Sequence, residues 1–229
     1  MGLPIDTTSY PSPNFSERPE GVAPDMIVLH TGEGTKQSDI ATLRSTRVPP
    51  DKRVSSHFYV DRAGLVYQLV DPRFAAWHAG ASIWAGRRNL NQYSIGIETE
   101  HKSGQGWPNV QRQALAVLCQ MLIDRYGIAR GNVVAHRWIA PGRKSDPSDW
   151  ENSDLVRWIA ALYDKRYRFR VAQVALSSND LRAALMAPTP ANPHIYQAAD
   201  VITIDDVTGG MAHDASGLGF VPFAVLEKL

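Results

Sequence analysis

The chain of 229 residues is 44% hydrophobic and 21% charged, which is the composition of an ordinary globular protein. Its formal net charge of +1 gives no electrostatic reason to expect binding to nucleic acid or insertion into an anionic membrane. The one cysteine, Cys119, excludes an internal disulfide and a cysteine-ligated metal site. No stretch approaches the roughly 20 apolar residues that a transmembrane helix needs.

The N-terminal residues 1–24 are rich in proline and small polar side chains, which predicts an extended arm. They show no basic segment followed by an apolar core, so we expect no secretory signal peptide. We therefore predict synthesis in the cytoplasm. Action outside the cytoplasm would then require a separate route of release.

Apolar runs predict buried strands that each end at a chemically useful side chain. These runs are 26–29 before His30, 94–97 before Glu98, and 132–135 before His136. An unpaired carboxylate is costly to bury, so Glu98 is expected to have a function rather than a solvated structural role.

Helices and a hairpin are predicted around these strands from apolar periodicity, caps and turns. They are a capped helix at 38–43, a hairpin of 55–60 with 65–70, a helix at 109–126 ended by Gly127, and a helix at 155–163. Strands that alternate with helices predict an α/β domain, here with a mixed central β-sheet flanked by helices.

The pattern changes after Arg166, where short β-rich runs alternate with glycine and proline turns. This spacing predicts a small all-β barrel. We therefore expect a catalytic domain at 1–166, including the arm, and a second domain at 167–229.

Two imidazoles and a carboxylate, those of His30, His136 and Asp146, are the predicted ligands of a zinc ion. A catalytic zinc takes three protein ligands and a water, whose pKa it lowers to about 7. Glu98 would act as general base and then acid, and Lys144 would stabilise the oxyanion, an effect of about 3 kcal/mol. The predicted reaction class is metal-assisted amide hydrolysis.

Several neighbouring side chains have both a structural and a functional interpretation. His57, in the predicted hairpin, either supports the site and the core or is a zinc ligand. Trp77 and Trp84, in a long irregular segment, either close the edge of the core or form a wall of a substrate groove. Cys119 lies on the apolar face of its helix and is interpreted as a small buried hydrophobe.

Five separated motifs together resemble the zinc-dependent N-acetylmuramoyl-L-alanine amidases over roughly residues 20–165. They are Leu29-His30-Thr31-Gly32, Ser56-His57-Phe58, Trp77-His78-Ala79-Gly80, Ser94-Ile95-Gly96-Ile97-Glu98 and His136 through Pro147. The resemblance implies zinc bound by His30, His136 and Asp146, and it makes Glu98 and Lys144 the catalytic pair of the recycling-enzyme branch. It also implies cleavage of the amide between the lactyl group of N-acetylmuramic acid and L-alanine.

Two departures from the patterns of this superfamily matter. The phage lysozyme-type and animal members have a tyrosine where Ser56 stands and a cysteine where Asp146 stands, so the chain resembles the glutamate-plus-aspartate branch. Asn89 stands where the recycling enzyme has a basic substrate contact, which counts against a strict preference for anhydro-muropeptides. The predicted substrate contacts are Trp77, His78, Arg87 and Asn91.

The part from about 168 to 229 resembles a bacterial Src-homology-3-like domain. The likeness lies in Asn179-Asp180-Leu181-Arg182, in 201–204, and in Gly219-Phe220-Val221-Pro222. In cell-wall hydrolases such modules usually bind peptidoglycan, and the other interpretation is a stabilising appendage.

Peptidoglycan and muropeptides are thus the predicted partners. The leading interpretation is a bacteriolytic amidase of intact wall, such as a phage or prophage endolysin. The alternative is a cytoplasmic recycling amidase of soluble muropeptides, against which the extra domain argues. A non-catalytic wall-recognition protein is disfavoured because every predicted ligand position is filled.

Overall fold

The computed structural model describes residues 3–163 and, beyond them, short strands at 174–175, 201–202, 204–208, 211–214 and 220–222. Residues 3–163 form a mixed α/β structure, as predicted. The strands of this part are β1 (Ile5–Asp6), β2 (Phe15–Ser16), β3 (Met26–Gly32), β4 (Phe58–Val60), β5 (Val66–Gln68), β6 (Ala75–Ala76), β7 (Ile83–Trp84), β8 (Arg87–Arg88), β9 (Ser94–Glu100) and β10 (Val133–Ala135). The α-helices are α1 (Lys36–Leu43), α2 (Asn109–Tyr126), α3 (His136–Ile139) and α4 (Asn152–Leu162).

A six-stranded sheet with the order β1-β5-β4-β9-β3-β10 forms the centre. The predicted hairpin is confirmed as the antiparallel pair β4 and β5. The neighbours β4, β9, β3 and β10 all run parallel, so their carboxyl ends lie at the same edge. Ligand sites form at this edge of open α/β sheets because loops leave the strands there.

The register places the predicted functional side chains side by side. His30 on β3 is the direct partner of Glu98 on β9. Leu29 is the partner of Ala135 on β10, so the next residue, His136, lies beside His30. Three segments that are distant in sequence therefore deliver one polar cluster.

One face of the sheet is covered by α2 and α4. Their apolar residues, including Leu115, Leu118 and Leu155, pack with Ile27 and Ile97 of the sheet in the main core. The helix α2 matches its predicted bounds and ends at Gly127, whose φ of 63° is a left-handed conformation that glycine adopts without strain. Cys119 is buried in this core, as predicted.

The opposite face carries α1, α3 and the polar site. Ile40 of α1 packs in a cluster with Tyr59 and Leu69, and Ile139 of α3 packs in a cluster with Val28 and other apolar residues. Because side chains alternate along a strand, β3 sends Val28 and His30 to this face and Leu29 to the core.

The N-terminal arm is more ordered than the sequence predicts. β1 extends the central sheet by pairing with β5, and β2 pairs with β6. Arg18 then donates hydrogen bonds to the carbonyl oxygens of Pro72 at 3.1 Å, Gln92 at 2.7 Å and Ser94 at 2.8 Å. Burial lowers the pKa of its guanidinium to about 10. The arm thus holds the loops that precede β9.

The predicted irregular segment after residue 77 also contains regular structure. It includes the short hairpin of β7 and β8 and a 3-10 helix at Leu90–Gln92. Asn89 begins this helix in a left-handed conformation, with φ at 57°, which asparagine tolerates better than most residues.

The strands beyond residue 163 pair in two small sheets. Val174–Ala175 pairs with Val201–Ile202, and Ile204–Thr208, Met211–Asp214 and Phe220–Pro222 form an antiparallel meander. Most residues of the predicted barrel, including Asn179–Arg182, lie outside the described residues, so the Src-homology-3-like domain and the boundary at 166 stay predictions. Within the described residues, every helix is too short or too polar to cross a membrane.

We expect Arg18→Met to lower the free energy of unfolding by about 3 kcal/mol, because it leaves several carbonyl oxygens without their charged donor. Urea unfolding would measure this. The matched control is Arg47→Met, since Arg47 is exposed and makes no side-chain hydrogen bond within residues 3–163. Equal stability of the two variants would contradict the assigned role of Arg18.

Candidate metal centre

His30, His136 and Asp146 converge at the carboxyl edge of the sheet. The Nδ1 atoms of the two histidines lie 2.9 Å apart. Oδ2 of Asp146 lies 3.2 Å from Nδ1 of His30 and 3.0 Å from Nδ1 of His136. Both histidines are buried, and the aspartate side chain is 16% exposed. These are the three residues that the sequence predicts as ligands.

Each of them is held by its own element. His30 is fixed by the pairing of β3 on both sides. His136 was expected on a loop, but it opens the short helix α3 directly after β10. The loop that bears Asp146 returns to α3 because the backbone N–H of Arg137 donates to the carbonyl of Asp146 at 2.9 Å. The Arg137 guanidinium also donates to the carbonyl of Pro147.

The donor atoms fit a divalent cation. Nε2 of His136 lies 3.3 Å from the carbonyl oxygen of Ala79, which can only accept, so the proton of a neutral ring is on Nε2. The lone pair of His136 Nδ1 therefore points at His30 and Asp146. Two imidazole nitrogens and one carboxylate oxygen are the ligand types of a three-residue zinc site.

The protonation states also suit metal binding. Burial lowers the pKa of His30 to about 4, so its ring is neutral at pH 7. Burial works to raise the pKa of Asp146, but its close contacts with His136 and His30 outweigh burial and leave the pKa below its usual value. A neutral imidazole and an ionised carboxylate are the forms that coordinate metals.

Glu98 lies beside this cluster on the same face of the sheet. Its Oε2 atom is buried and has no hydrogen-bond partner within residues 3–163. Burial first, and then the charge of Asp146, raises the pKa of Glu98 to about 8. A carboxyl group with a raised pKa next to a metal-binding cluster is a candidate general base.

A groove of about 460 Å³ opens beside the centre. Its lining includes Lys52, Arg53, Trp77, Arg143 and Lys144. Lys144 is exposed, and its charge acts to lower the pKa values of both Glu98 and His30. The ammonium charge therefore acts on the site, and Lys144 belongs to the groove lining.

The four predicted substrate contacts have different surroundings. Trp77 lines the groove and donates from Nε1 to Ser16 at 3.3 Å. Arg87 pairs with Asp25 at 2.8 Å. His78 is 8% exposed. Their contact with substrate stays a prediction.

Asn91 holds the segment that carries His78. Its Oδ1 atom accepts from the backbone N–H groups of His78 at 3.1 Å and Ala79 at 2.7 Å. Asn91 also lines the groove, and its contact with substrate stays a prediction.

His57 and Gly96 complete the surroundings of the site. Nδ1 of His57 accepts from the backbone N–H of Gly96 at 2.9 Å, and its Nε2 lies 3.0 Å from the carbonyl oxygen of Phe74. This is the supporting role that was one of its two interpretations. Sequence reasoning did not single out Ser94 and Gly96 as site residues. A glycine within a buried strand was the available signal, because it marks a close approach of another group.

The residues that form this site lie in a part of the chain that is similar to known amidases. The family model described as N-acetylmuramoyl-L-alanine amidase matches residues 20–149. The chain is 34% identical to the 1,6-anhydro-N-acetylmuramyl-L-alanine amidase AmpD of Salmonella typhimurium, over 65% of this chain and 89% of that protein. It is 40% identical to the N-acetylmuramoyl-L-alanine amidase AmiD of Escherichia coli, over 53% of this chain and 48% of that protein.

Solved structures agree with this match. A selenomethionine derivative of AmpD is similar with a TM-score of 0.57 at 32% identity, covering 65% of this chain and 91% of that chain. E. coli AmiD in complex with anhydro-N-acetylmuramic acid-L-Ala-D-γ-Glu-L-Lys is similar with a TM-score of 0.52 at 29% identity, covering 73% of this chain and 72% of that chain.

We expect Asp146→Asn to weaken Zn²⁺ binding by more than the 10–100-fold typical of a supporting residue, because it removes an anionic ligand. Competition with a chromophoric chelator would measure the affinity. The matched control is Asp149→Asn, since Asp149 also faces a histidine, His101, at 3.0 Å but lies outside the cluster. An equal loss in both variants, or none in either, would contradict the assigned ligand set.

The raised pKa of Glu98 predicts how the stability of the metal-free protein depends on pH. Its pKa is raised from 4.5 to about 8, so the folded state binds this proton more tightly than the unfolded chain. The Glu98 contribution to stability is therefore present below about pH 4.5 and is lost as pH rises through 8. The free energy of unfolding of Glu98→Gln minus that of the wild type should grow between pH 5 and pH 9, measured by urea unfolding with chelator present. A difference that stays constant with pH would show that the Glu98 carboxyl does not hold its proton more tightly in the folded protein.

Proposed function

Because the chain belongs to the N-acetylmuramoyl-L-alanine amidase family, we propose that it hydrolyses the amide between N-acetylmuramic acid and L-alanine on soluble muropeptides, with zinc bound by His30, His136 and Asp146. The observation that carries the proposal is the placement of Glu98, whose Oε2 atom is buried, beside that cluster and within the matched residues 20–149. Metal-assisted amide hydrolysis needs a Lewis-acid cation and a proton carrier, and this edge of the sheet carries residues suited to hold the one and to act as the other.

A bound Zn²⁺ would polarise the scissile carbonyl and lower the pKa of the attacking water. His30 would present a neutral nitrogen to the ion, His136 would present its Nδ1 atom, and Asp146 would present the one full negative charge among the ligands. Their burial excludes bulk water from the centre, which strengthens electrostatic interactions there.

Glu98 carries the proton through the reaction. As a carboxylate it accepts a proton from the attacking water, and as a carboxylic acid it donates that proton to the departing amine of L-alanine. A pKa of about 8 in the metal-free protein favours holding the proton, and a bound cation would lower this value towards the working pH. Lys144, on the groove side, would donate a hydrogen bond to the oxyanion that forms from the carbonyl oxygen.

The groove suits an acidic peptide next to a sugar. Lys52, Arg53 and Arg143 place positive charge along it, and the carboxylates of a stem peptide would pair with such groups. Trp77 offers an aromatic surface in the same groove for an apolar sugar face. The substrate class is therefore a short muropeptide that carries free carboxylates.

Soluble anhydro-muropeptides are favoured over intact wall as the substrate. The relatives matched at 34% identity are named for 1,6-anhydro substrates, and the AmiD complex contains an anhydro-muropeptide. The endolysin interpretation from the sequence has weaker support than this recycling-type alternative. The departure at Asn89, which lies in the left-handed start of a 3-10 helix, favours a tolerant rather than a strict anhydro preference.

The Src-homology-3-like domain predicted at 167–229 would add wall affinity to this activity. Its support is the sequence resemblance together with the short antiparallel strands beyond residue 163. A non-catalytic binding role is disfavoured because His30, His136 and Asp146 fill every ligand position.

We expect Glu98→Gln to retain Zn²⁺ and to lose at least about 100-fold in kcat, because general acid–base catalysis typically contributes 10²–10⁴-fold. Mass spectrometry of the products from a soluble anhydro-muropeptide and from purified sacculi would measure both the bond broken and the substrate preference. The wild type should release the peptide with a free L-alanine amine, and it should act faster on the soluble substrate.

The matched control is Glu100→Gln. Glu100 lies two residues along the same strand, but its carboxylate accepts from the backbone N–H groups of Lys36 at 3.0 Å and Arg62 at 3.1 Å. Its loss should leave turnover unchanged. Full activity of Glu98→Gln would remove Glu98 from the mechanism, and faster cleavage of sacculi than of the soluble substrate would favour the endolysin interpretation.

A further inference from the structure

A chain of hydrogen bonds leads from the start of β9 to the candidate metal centre. The hydroxyl of Ser94 donates to the carbonyl oxygen of Leu90 at 2.6 Å, and this use of its one proton is fixed because a carbonyl can only accept. Nε2 of His78 lies 3.1 Å from the same hydroxyl oxygen. Since the hydroxyl proton is already used, His78 must be the donor in this contact, and its proton is on Nε2.

The next contact follows from the first. A neutral His78 protonated on Nε2 has its lone pair on Nδ1, which lies 3.0 Å from Nε2 of His30. The Nε2–H group of His30 therefore donates to His78. The lone pair of His30 is then on Nδ1, the atom that faces His136 and Asp146.

The packing keeps the His78 ring in the required place. A Cβ atom added to Gly96 would lie 2.4 Å from Cγ of His78, so the ring lies across β9 only because position 96 has no side chain. Asn91 fixes the backbone of the same segment by accepting from the N–H groups of His78 and Ala79. The carbonyl of Ala79 in turn faces Nε2 of His136 at 3.3 Å.

From this geometry we propose that His78 is a positioning residue that acts through His30. It selects the tautomer of His30 in which the Nδ1 lone pair points at the cation, while the neighbouring Ala79 carbonyl does the same for His136. One short segment, 78–79, thus orients both imidazole ligands from the side away from the ion. This inference rests on the proposed function, because it concerns the same cation.

Removing such a supporting partner typically costs 10–100-fold in metal affinity. We expect this loss in His78→Phe, which keeps a ring of similar shape but has no acceptor for His30. His78→Asn should bind Zn²⁺ more nearly as the wild type does, because its amide oxygen can take the place of Nδ1. The affinity would be measured by chelator competition on protein that is folded by circular dichroism.

The matched control is His57→Phe. His57 is also buried, and its ring centroid lies 5.6 Å from that of His78, but its hydrogen-bond contacts are with the backbone of Gly96 and Phe74 and with the Arg18 side chain. The His57→Phe variant should be less stable than the wild type and should keep its zinc affinity. Equal zinc affinity in His78→Phe and the wild type would overturn the proposal, as would equal losses in His78→Phe, His78→Asn and His57→Phe.

The tautomer of His30 can also be measured directly in the wild-type protein, so this test does not depend on whether a variant folds. Long-range ¹H–¹⁵N correlation spectra of the metal-free protein, labelled with [¹⁵N]histidine, report the tautomer of each ring. We expect His30 protonated on Nε2, and His30 protonated on Nδ1 would overturn the proposal. A wild type that has the expected tautomer and binds zinc but cleaves no muropeptide would contradict the proposed function alone.

Discussion

Two imidazole nitrogens and one carboxylate oxygen face one another at 2.9–3.2 Å in a largely buried site, and each of them directs a lone pair at the others. Such an arrangement is unfavourable unless a proton or a cation lies between the atoms. The hydrogen bonds to Ala79 and His78 direct the ring protons away from the centre, which leaves a cation as the natural partner. Burial is the main cause of the raised pKa of Glu98, and the charge of the Asp146 carboxylate in the same site adds to it.

The sheet makes this arrangement possible. Parallel pairing of β3 with β9 and β10 fixes His30, Glu98 and the start of α3 at one edge without any flexible connection. Asp146 is the one ligand on a loop, and Arg137 ties that loop back to α3. Rigid mounting of this kind matters for catalysis, since small displacements of catalytic groups cost large factors in rate. The Arg18 contacts with the loops before β9 extend the same support to the N-terminal arm.

Much of this organisation was predictable from local patterns. The apolar runs that end at His30, Glu98 and His136 predict both the strands and their polar ends, and the α2 periodicity with Gly127 predicts that helix to the residue. Non-local pairing was not predictable in the same way. β1 joins the sheet although it is only two residues long, because edge pairing depends on a partner strand about 60 residues away rather than on the strand itself.

The role of His78 shows the same limit. In the sequence it stands next to Trp77 in a loop, which indicates a surface contact. Its orientation depends on the missing side chain of Gly96, the hydroxyl of Ser94 and the amide of Asn91, and only the folded chain brings these together. The distinction between a substrate contact and a support for a ligand is thus a property of tertiary structure.

The most direct test of the metal centre is a crystal structure of the zinc-soaked protein with anomalous data on both sides of the zinc absorption edge. The account predicts one ion about 2.0–2.1 Å from Nδ1 of His30 and of His136, and about 2.0–2.2 Å from an oxygen of Asp146. An ion bound through Nε2 of either histidine, an ion held by other residues, or no ion at this site would contradict it.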